Sequence, residues 1–275
     1  MAPTVHLVRH AEGYHNLCKE NQQLRDPDLT PLGEQQCDDL RTVFPFHDKV
    51  THLTASPIRR TLWTCLHAFE PAVRKGIKVL ALPSAQEVSA LPCDTGSDRD
   101  KLMAEFEPLV ELALCDDAWN VKTPGSTYHP NLANLEARAK KTRRWLRELA
   151  TEAGDDGHLV LVTHGGILHF ITEVFDAPNK GENARTGWAN AEYRSYHFVD
   201  ESKQDTNATM KETEESQRRR HAIPMTETVK MEVKTAWVAS LKMMLQKEAD
   251  EAAHAAAAAA QNAAPQNGAK RVDGS

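Results

Sequence analysis

The chain has 275 residues, of which 40% are apolar and 26% are charged, so it holds enough apolar sequence for one large domain or for one domain with extensions. Lys and Arg together number 33 and Asp and Glu 39, and the net charge of −6 argues against a protein that coats nucleic acid or an anionic membrane. Because the sequence has no long apolar run and no signal-peptide pattern, we expect no membrane span and a cytoplasmic location, with a nuclear one left open.

Short apolar runs alternate with helical patterns along the first part of the chain. Strands are predicted at residues 5–8, 50–55, 77–82, 158–162 and 191–199, and the last is expected at a sheet edge. Helices are expected to begin at the cap-and-proline pairs Thr30-Pro31 and Ser56-Pro57 and to end near residues 43 and 69. Further helices are predicted at 100–114, 131–151 and 166–175, with a loop at 85–99. This order is typical of an α/β fold, and we expect a three-layer α/β/α sandwich around a mostly parallel sheet.

The composition changes after residue 200, so we expect the folded domain to occupy residues 1–200. Residues 201–225 are almost wholly polar and are predicted to form a solvated linker, although their run Arg218-Arg219-Arg220 offers an alternative role in binding phosphates or a partner. Residues 226–260 are predicted to form one long helix, and residues 261–275 a disordered tail. Apolar residues recur along that helix at every fourth position, a face suited to a protein partner or to self-association: Val229, Val233, Trp237, Leu241 and Leu245.

Basic and histidine residues follow three of the predicted strands. The segment Arg9-His10 follows the first, Arg59-Arg60 opens the helix after the second, and Thr163-His164-Gly165 follows the strand at 158–162. Ligands of parallel sheets bind at the carboxyl ends of the strands, so we expect these segments to meet at one site. A helix that begins with two arginines opposes its own dipole, and a bound anion would resolve that conflict. Arginine forks bind phosphate and a neutral imidazole can attack phosphorus, so the pattern indicates phosphoryl transfer through a phosphohistidine.

Four segments in this order resemble the signatures of the histidine phosphatase (phosphoglycerate mutase-like) superfamily over roughly residues 3–200. They are RHAE at 9–12 with Asn16 beyond it, DLTPLG at 28–33 with Gln36, SPIRRT at 56–61 and VTHGG at 162–166. Ala11 stands where the family usually has glycine. The loop at 87–99 is similar to that of fungal members, so a fungal branch is expected.

The resemblance implies a role for each site residue. His10 would be the nucleophile that becomes phosphohistidine, and Asn16 would add a neutral hydrogen bond to the phosphoryl group. The phosphoryl group would be bound by Arg9, Arg60 (rather than Arg59), His164 and Gly165. Glu87 is predicted to be the proton donor for the leaving oxygen, with Asp94 as the alternative. Asp94, Thr95 and Gly96 would wall the pocket, or form an ordinary turn.

Other features of the sequence add no further chemistry. No residues have metal-ligand spacing and the five cysteines include no CxxC pair, so we expect free thiols and neither a metal nor another cofactor. His15 lies near the site without an assigned role. The basic residues between Arg138 and Arg147 share one predicted helix and are expected to form a solvated face.

These observations favour a phosphatase that hydrolyses small organic phosphomonoesters. One alternative is a mutase, but Gly13, Tyr14 and His15 stand where dedicated mutases of the family carry a serine and an aromatic residue. The other is a non-catalytic scaffold or assembly subunit that keeps the phosphatase-like fold and pairs through its C-terminal helix.

Overall fold

A mixed, mostly parallel sheet forms the centre of the molecule. The computed structural model describes residues 2–175, 187–200, 204–221 and 227–263, and within these ranges seven strands make up the sheet. The strands are β1 (Thr4–Arg9), β2 (Val50–Ala55), β3 (Val79–Ala81), β4 (Val110–Glu111), β5 (His158–Thr163), β6 (Tyr193–Phe198) and β7 (Met210–Glu212).

The strand order is β4-β3-β2-β5-β1-β6-β7, with β5 in the middle and parallel to both β1 and β2. Arg9 lies opposite Thr163, and Ala55 lies opposite Val162, so the carboxyl ends of these three strands are in register. β6 pairs antiparallel with β1 and also with β7. The strand predicted at 191–199 is β6, but its expected position at a sheet edge was wrong, because the short strand β7 covers that edge.

Helices cover both faces of the sheet and give the predicted three layers. They are α1 (Pro31–Val43), α2 (Arg59–Ala68), α3 (Glu70–Arg74), α4 (Arg99–Phe106), α5 (Leu132–Ala153), α6 (Gly165–Thr172), α7 (Glu214–Arg219) and α8 (Glu227–Ala263). One apolar core packs α1 to α4 against the sheet, and a second packs α5, α6 and α8 against the other face. Alternation along the strands supplies both cores: in β5, Val160 and Val162 enter the first and Leu161 the second.

Local signals explain where some helices begin and not others. Thr30 caps α1 as predicted, because its Oγ1 accepts a hydrogen bond from the Gly33 amide at 3.0 Å. Ser56 does not cap α2, which begins at Arg59 with Ile58 at the N-cap. The Ser56 hydroxyl instead contacts the ring of His164, as described below. Ser56, which the local pattern predicts as a helix cap, therefore serves to position His164 instead.

The helix predicted at 100–114 is shorter than expected. α4 ends at Phe106, and the chain then forms β4 beside β3. Pro108 has no amide proton for a helix and disfavours helical backbone at the residue before it, which accounts for the early end. Likewise the helix predicted at 166–175 ends at Thr172, after which Glu173 adopts a left-handed conformation with a φ of 56°.

The segment predicted to be a solvated linker contains β7 and α7 in its described part, 204–221. The Ser195 amide donates to the buried Ser216 hydroxyl at 3.0 Å, which ties α7 to β6. The arginine run is partly engaged within the chain: the Arg219 guanidinium lies 3.9 Å from the centre of the Tyr193 ring, and Arg220 pairs with Glu212 at 2.7 Å. Packing against β6 therefore orders residues whose composition alone favours solvent.

The long helix predicted at 226–260 is α8, Glu227–Ala263. It does not stand free of the domain, because Leu241 is only 5% exposed and belongs to the second core. Among the described helices, none is long and apolar enough to cross a membrane. Residues 264–275, which hold most of the predicted tail, lie outside the described part of the chain.

Candidate active site

A pocket of about 580 Å³ opens at the carboxyl ends of β1, β2 and β5. The register of these strands brings the predicted segments together, since the His10 amide donates to Thr163 and the Ser56 amide to Val162, both at 2.9 Å. Six of the predicted site residues line the pocket: Arg9, His10, Asn16, Arg60, Glu87 and Asp94.

The ring of His10 is almost fully buried and held in one tautomer. Its Nδ1 lies 2.7 Å from the carbonyl oxygen of Ala11, and since a carbonyl oxygen only accepts hydrogen bonds, Nδ1 carries the proton. Burial, followed by the positive charge of Arg60, lowers the pKa of His10 well below its ordinary value. The imidazole is therefore neutral near pH 7, with the lone pair on Nε2.

Arg60 and Arg59 are neighbours in α2 but have different surroundings. Arg60 is buried at the pocket, where its guanidinium donates to the Cys93 carbonyl at 2.5 Å and to Asp94 Oδ1 at 2.8 Å. Arg59 pairs with Glu105 at 2.6 Å and with Asp28 at 2.7 Å, outside the pocket lining. Arg60 is thus the arginine of this pair that lies beside the neutral imidazole of His10.

Arg9 brings a second guanidinium to the pocket. Its Nη1 donates to the carbonyl oxygen of Trp188 at 2.6 Å. Burial lowers the pKa of Arg9 to about 10, with Glu87 opposing that shift and Arg60 adding to it. Within the described residues, Arg9 and Arg60 each have a buried Nε without a hydrogen-bond partner. Two buried cations with unused donors are an unfavourable arrangement that a bound anion would stabilise.

His164 lies beside the pocket rather than in its lining. The Arg60 guanidinium donates to its Nδ1 at 2.9 Å, so Nδ1 is unprotonated and Nε2 donates to the Ser56 hydroxyl at 2.9 Å. Burial, followed by Arg60 and His10, lowers the pKa of His164 well below its ordinary value. The ring centre of His164 is 5.2 Å from that of His10, so His164 lies at the predicted site. It is there as a neutral imidazole that accepts a hydrogen bond from Arg60 and so holds that guanidinium in place.

Glu87 belongs to the loop after β3, and its carboxyl group lies at the N-terminal end of α6. Its carboxylate accepts hydrogen bonds from the amides of Val88, Gly166 and Ile167 at 2.9, 3.1 and 3.0 Å. Burial, followed by the negative charge of Asp94, nevertheless raises the pKa of Glu87. A carboxyl group that keeps its proton to higher pH than usual can act as a general acid.

Asp94 differs from Glu87 in its ionisation. Burial opposes its charge, but Arg60, Lys122 and the Ser89 hydroxyl, which donates at 2.5 Å, hold the pKa of Asp94 below its ordinary value. Asp94 is therefore a carboxylate that orients Arg60, and of the two candidates Glu87 has the environment of a proton donor.

Comparison with known proteins identifies the family. The sequence pattern of the histidine phosphatase superfamily (branch 1) matches residues 5–209. The chain belongs to this superfamily.

A phosphoglycerate mutase-like protein of Arabidopsis thaliana is 25% identical over 244 residues, which cover 74% of this chain and 88% of the relative. Phosphoglycerate mutase-like protein 1 of the same plant is 26% identical over 238 residues, with 72% and 82% covered. Among solved structures, a mutant phosphoserine phosphatase from Entamoeba histolytica has a TM-score of 0.44 and 16% identity, covering 77% of this chain and 95% of that chain.

Besides His164, three predicted residues of this histidine phosphatase family member lie outside the pocket lining: Gly165, Thr95 and Gly96. Gly165 is the buried first residue of α6, and it is Gly166 that reaches the pocket. Gly96 packs against the Trp119 ring so closely that a side chain at this position would collide with it. This part of the 87–99 loop is therefore a packed turn, and the fungal affinity inferred from that loop stays a prediction.

Two buried cations that were not predicted from the sequence, Lys122 and Arg138, hold the 85–99 loop of this histidine phosphatase family member. The Lys122 ammonium donates to the carbonyl oxygens of Ser89 and Asp94 at 2.7 and 2.6 Å, and burial lowers its pKa to about 8. Arg138 donates to the carbonyl oxygen of Gln86. Arg138 and Arg143 are each 3% exposed, so the solvated face predicted for α5 was wrong at these positions. A helical period gave no signal for them, because their partners lie far away in sequence.

The remaining lining residues were also not predicted as part of the site. His15 lines the pocket, and burial lowers its pKa to about 3. A whole wall comes from α8, through Val233, Ala236, Trp237, Ser240, Leu241 and Met244. The sequence did show the apolar face of that helix, but not what the face covers. Within the described ranges, no group of three or more His, Cys, Asp or Glu side chains is arranged to hold a metal ion.

Proposed function

We propose that this protein is a phosphatase that hydrolyses organic phosphomonoesters through a covalent phosphohistidine on His10. The observation that carries the proposal is the tautomer of His10, whose Nδ1 proton is donated to the Ala11 carbonyl and whose Nε2 keeps its lone pair. Arg9 and Arg60 supply positive charge beside this nucleophile, and Glu87 supplies a proton. Membership of the superfamily and the presence of these groups in one pocket support the proposal.

In the first step, His10 Nε2 attacks phosphorus and the bond between phosphorus and the ester oxygen breaks. The proton of Glu87 moves to the departing oxygen, so the alcohol leaves neutral and Glu87 becomes a carboxylate. The guanidinium groups of Arg9 and Arg60 stabilise the charge on the phosphoryl oxygens. Asn16 lines the same pocket and is proposed to donate a neutral hydrogen bond.

In the second step, a water molecule attacks phosphorus while the Glu87 carboxylate takes its proton. The bond between phosphorus and His10 Nε2 breaks, inorganic phosphate forms, and both residues return to their starting protonation. His164 supports the reaction indirectly, because it fixes Arg60 through Nδ1 and is itself fixed by Ser56.

A mutase would differ only in the acceptor, since the phosphohistidine would return its group to a hydroxyl of a sugar acid. The curated relatives carry the name phosphoglycerate mutase-like, so this alternative has to be tested directly. The scaffold alternative predicts no chemistry at all.

The test incubates wild type and His10→Ala with a broad panel of phosphomonoesters, with and without EDTA. We expect phosphate release that needs no added acceptor and persists in EDTA, and after an alkaline quench a peptide containing His10 heavier by one phosphoryl group. The His10→Ala chain should show neither. Release that depends on an added phosphoglycerate would identify a mutase, strong inhibition by EDTA would contradict charge neutralisation by arginines alone, and no release with no adduct would favour the scaffold.

A further inference from the structure

The pocket is built from two chemically different walls. The end of β1 with the loop after it, the first turn of α2 and the loop after β3 contribute the charged and histidine side chains that line the pocket. The other wall comes from α8, and five of the six side chains that this helix contributes are apolar: Val233, Ala236, Trp237, Leu241 and Met244. Val88 and Leu91 extend this apolar surface from the loop that follows Glu87.

Trp237 anchors this wall to the body of the domain. Its ring lies 5.0 Å from that of His169, 5.5 Å from Phe170 and 5.2 Å from Phe175, measured between ring centres. His169 and Phe170 belong to α6, the helix whose first turn binds the Glu87 carboxylate. The apolar wall and the proton donor are therefore positioned by the same helix.

The distribution of charge limits which leaving groups fit. Of the described residues that line the pocket, Arg9 and Arg60 have a permanent positive charge, and both belong to the phosphoryl-binding side. A carboxylate on the leaving group would meet no second cation and would lie near the charge of Asp94. A polyhydroxylated group would lose water against Trp237 and Leu241 without regaining its hydrogen bonds.

We propose that α8 determines substrate specificity and that the preferred substrates are phosphomonoesters of apolar or aromatic alcohols, with Trp237 and Met244 in contact with the alcohol. This inference rests on the proposed phosphatase function and names the substrate class of that same site. A volume of about 580 Å³ lies within the range of pockets that hold drug-sized molecules, so it accommodates a phosphoryl group together with a ring or a short chain.

The test compares kcat/KM for 3-phenylpropyl phosphate and glycerol 1-phosphate, two esters of primary alcohols that differ in apolar surface. We expect the wild type to favour the phenylpropyl ester by about tenfold or more. Trp237→Ala should reduce this preference by about tenfold, mainly through KM, because contacts to the alcohol are made before and during the reaction.

A matched pair of variants separates specificity from folding. Met244 lines the pocket and is 40% exposed, so Met244→Gln should fold and should lower the preference by about threefold. Met243 is 75% exposed and is not a lining residue, so Met243→Gln should keep the wild-type preference and activity.

The outcomes distinguish the two proposals. No phosphate release from these two esters or from the broad panel would overturn both the phosphatase and the specificity assigned to α8, whereas release from the panel but not from the phenylpropyl ester would overturn only the specificity. Release without a preference for the apolar ester, or equal behaviour of Met244→Gln and Met243→Gln, would overturn the role of α8 and leave the phosphatase standing.

Discussion

The Glu87 carboxyl group occupies the space that a side chain at Gly166 would fill. The Gly166 amide donates to Glu87 Oε2 at 3.1 Å, and a Cβ at position 166 would stand 2.6 Å from Oε1 and 2.8 Å from Val88 Cγ2. The absence of a side chain at 166 is what lets the carboxyl group reach the first turn of α6.

We therefore expect Gly166→Ala to displace Glu87 and to lower kcat/KM for an alkyl phosphate by about a hundredfold, because kcat/KM reports the first step, in which Glu87 gives its proton to the departing oxygen. The loss should be much smaller for p-nitrophenyl phosphate, whose alcohol leaves without a proton, and Glu87→Gln should show the same contrast. Steady-state kinetics with both esters measures it. An equal loss for the two substrates would mean that the alanine damages the fold rather than the proton donor.

The ionisation of Glu87 and His10 sets the expected pH dependence of kcat/KM. Glu87 works protonated and its pKa is raised, so activity should fall with rising pH only above the ordinary carboxyl range. His10 works neutral and its pKa is lowered, so the acid limb should lie below the ordinary imidazole value. Asp94→Asn removes a negative charge that raises the pKa of Glu87 and should move the alkaline limb to lower pH. Asp94→Glu keeps the charge and serves as the control; an unmoved limb in Asp94→Asn would contradict the coupling.

Arg60 and Arg59 offer a test within a single turn of α2. Arg60→Ala removes a buried guanidinium beside His10 and should lower kcat by about 10²–10³. Arg59→Ala loses ion pairs with Glu105 and Asp28 outside the pocket lining and should keep the wild-type kcat. Phosphate release measures both. Similar losses in the two variants would show that charge on this turn matters in general and not the position of one guanidinium.

The docking of α8 can be measured as stability. Leu241 is 5% exposed within the second core, so Leu241→Ala should lower the free energy of unfolding by about 2–5 kcal/mol. Met243→Ala changes a residue that is 75% exposed and should stay within about 0.5 kcal/mol of the wild type. Urea unfolding at neutral pH compares them. Equal midpoints would place α8 away from the domain in solution.

Short-range signals predicted much of the fold. The strand at 50–55 and the helix from Pro31 to Val43 were confirmed, because an apolar run and a cap-and-proline pair act locally. The prediction of a helix up to residue 114 was wrong. It gave more weight to the apolar pattern than to the proline at 108, and part of that apolar pattern belongs to β4. The polar composition of 204–221 hid a strand and a helix that depend on pairing with β6.

The sequence itself marks strand ends at His10 and Arg60, and it was therefore predictable that both residues would line one pocket. The candidate site was not predictable where a partner lies far along the chain. The Lys122 ammonium donates to the carbonyl oxygen of Asp94, which lies 28 positions away in the sequence, and no local sequence pattern near either residue predicts this contact. Trp237 shows its apolar spacing in the sequence, but only the fold reveals that this face covers both α6 and a pocket.

The acceptor of the His10 Nδ1 proton has a consequence for the energy of the intermediate. The oxygen of Ala11 belongs to a peptide bond and cannot take that proton, unlike a carboxylate. Once Nε2 is bonded to phosphorus, the ring keeps its Nδ1 proton and is a cation, so it departs from phosphorus as neutral imidazole, which is a good leaving group. The phosphoenzyme of the proposed reaction is then a transient species with a high group-transfer potential, suited to rapid turnover rather than to storage of the phosphoryl group.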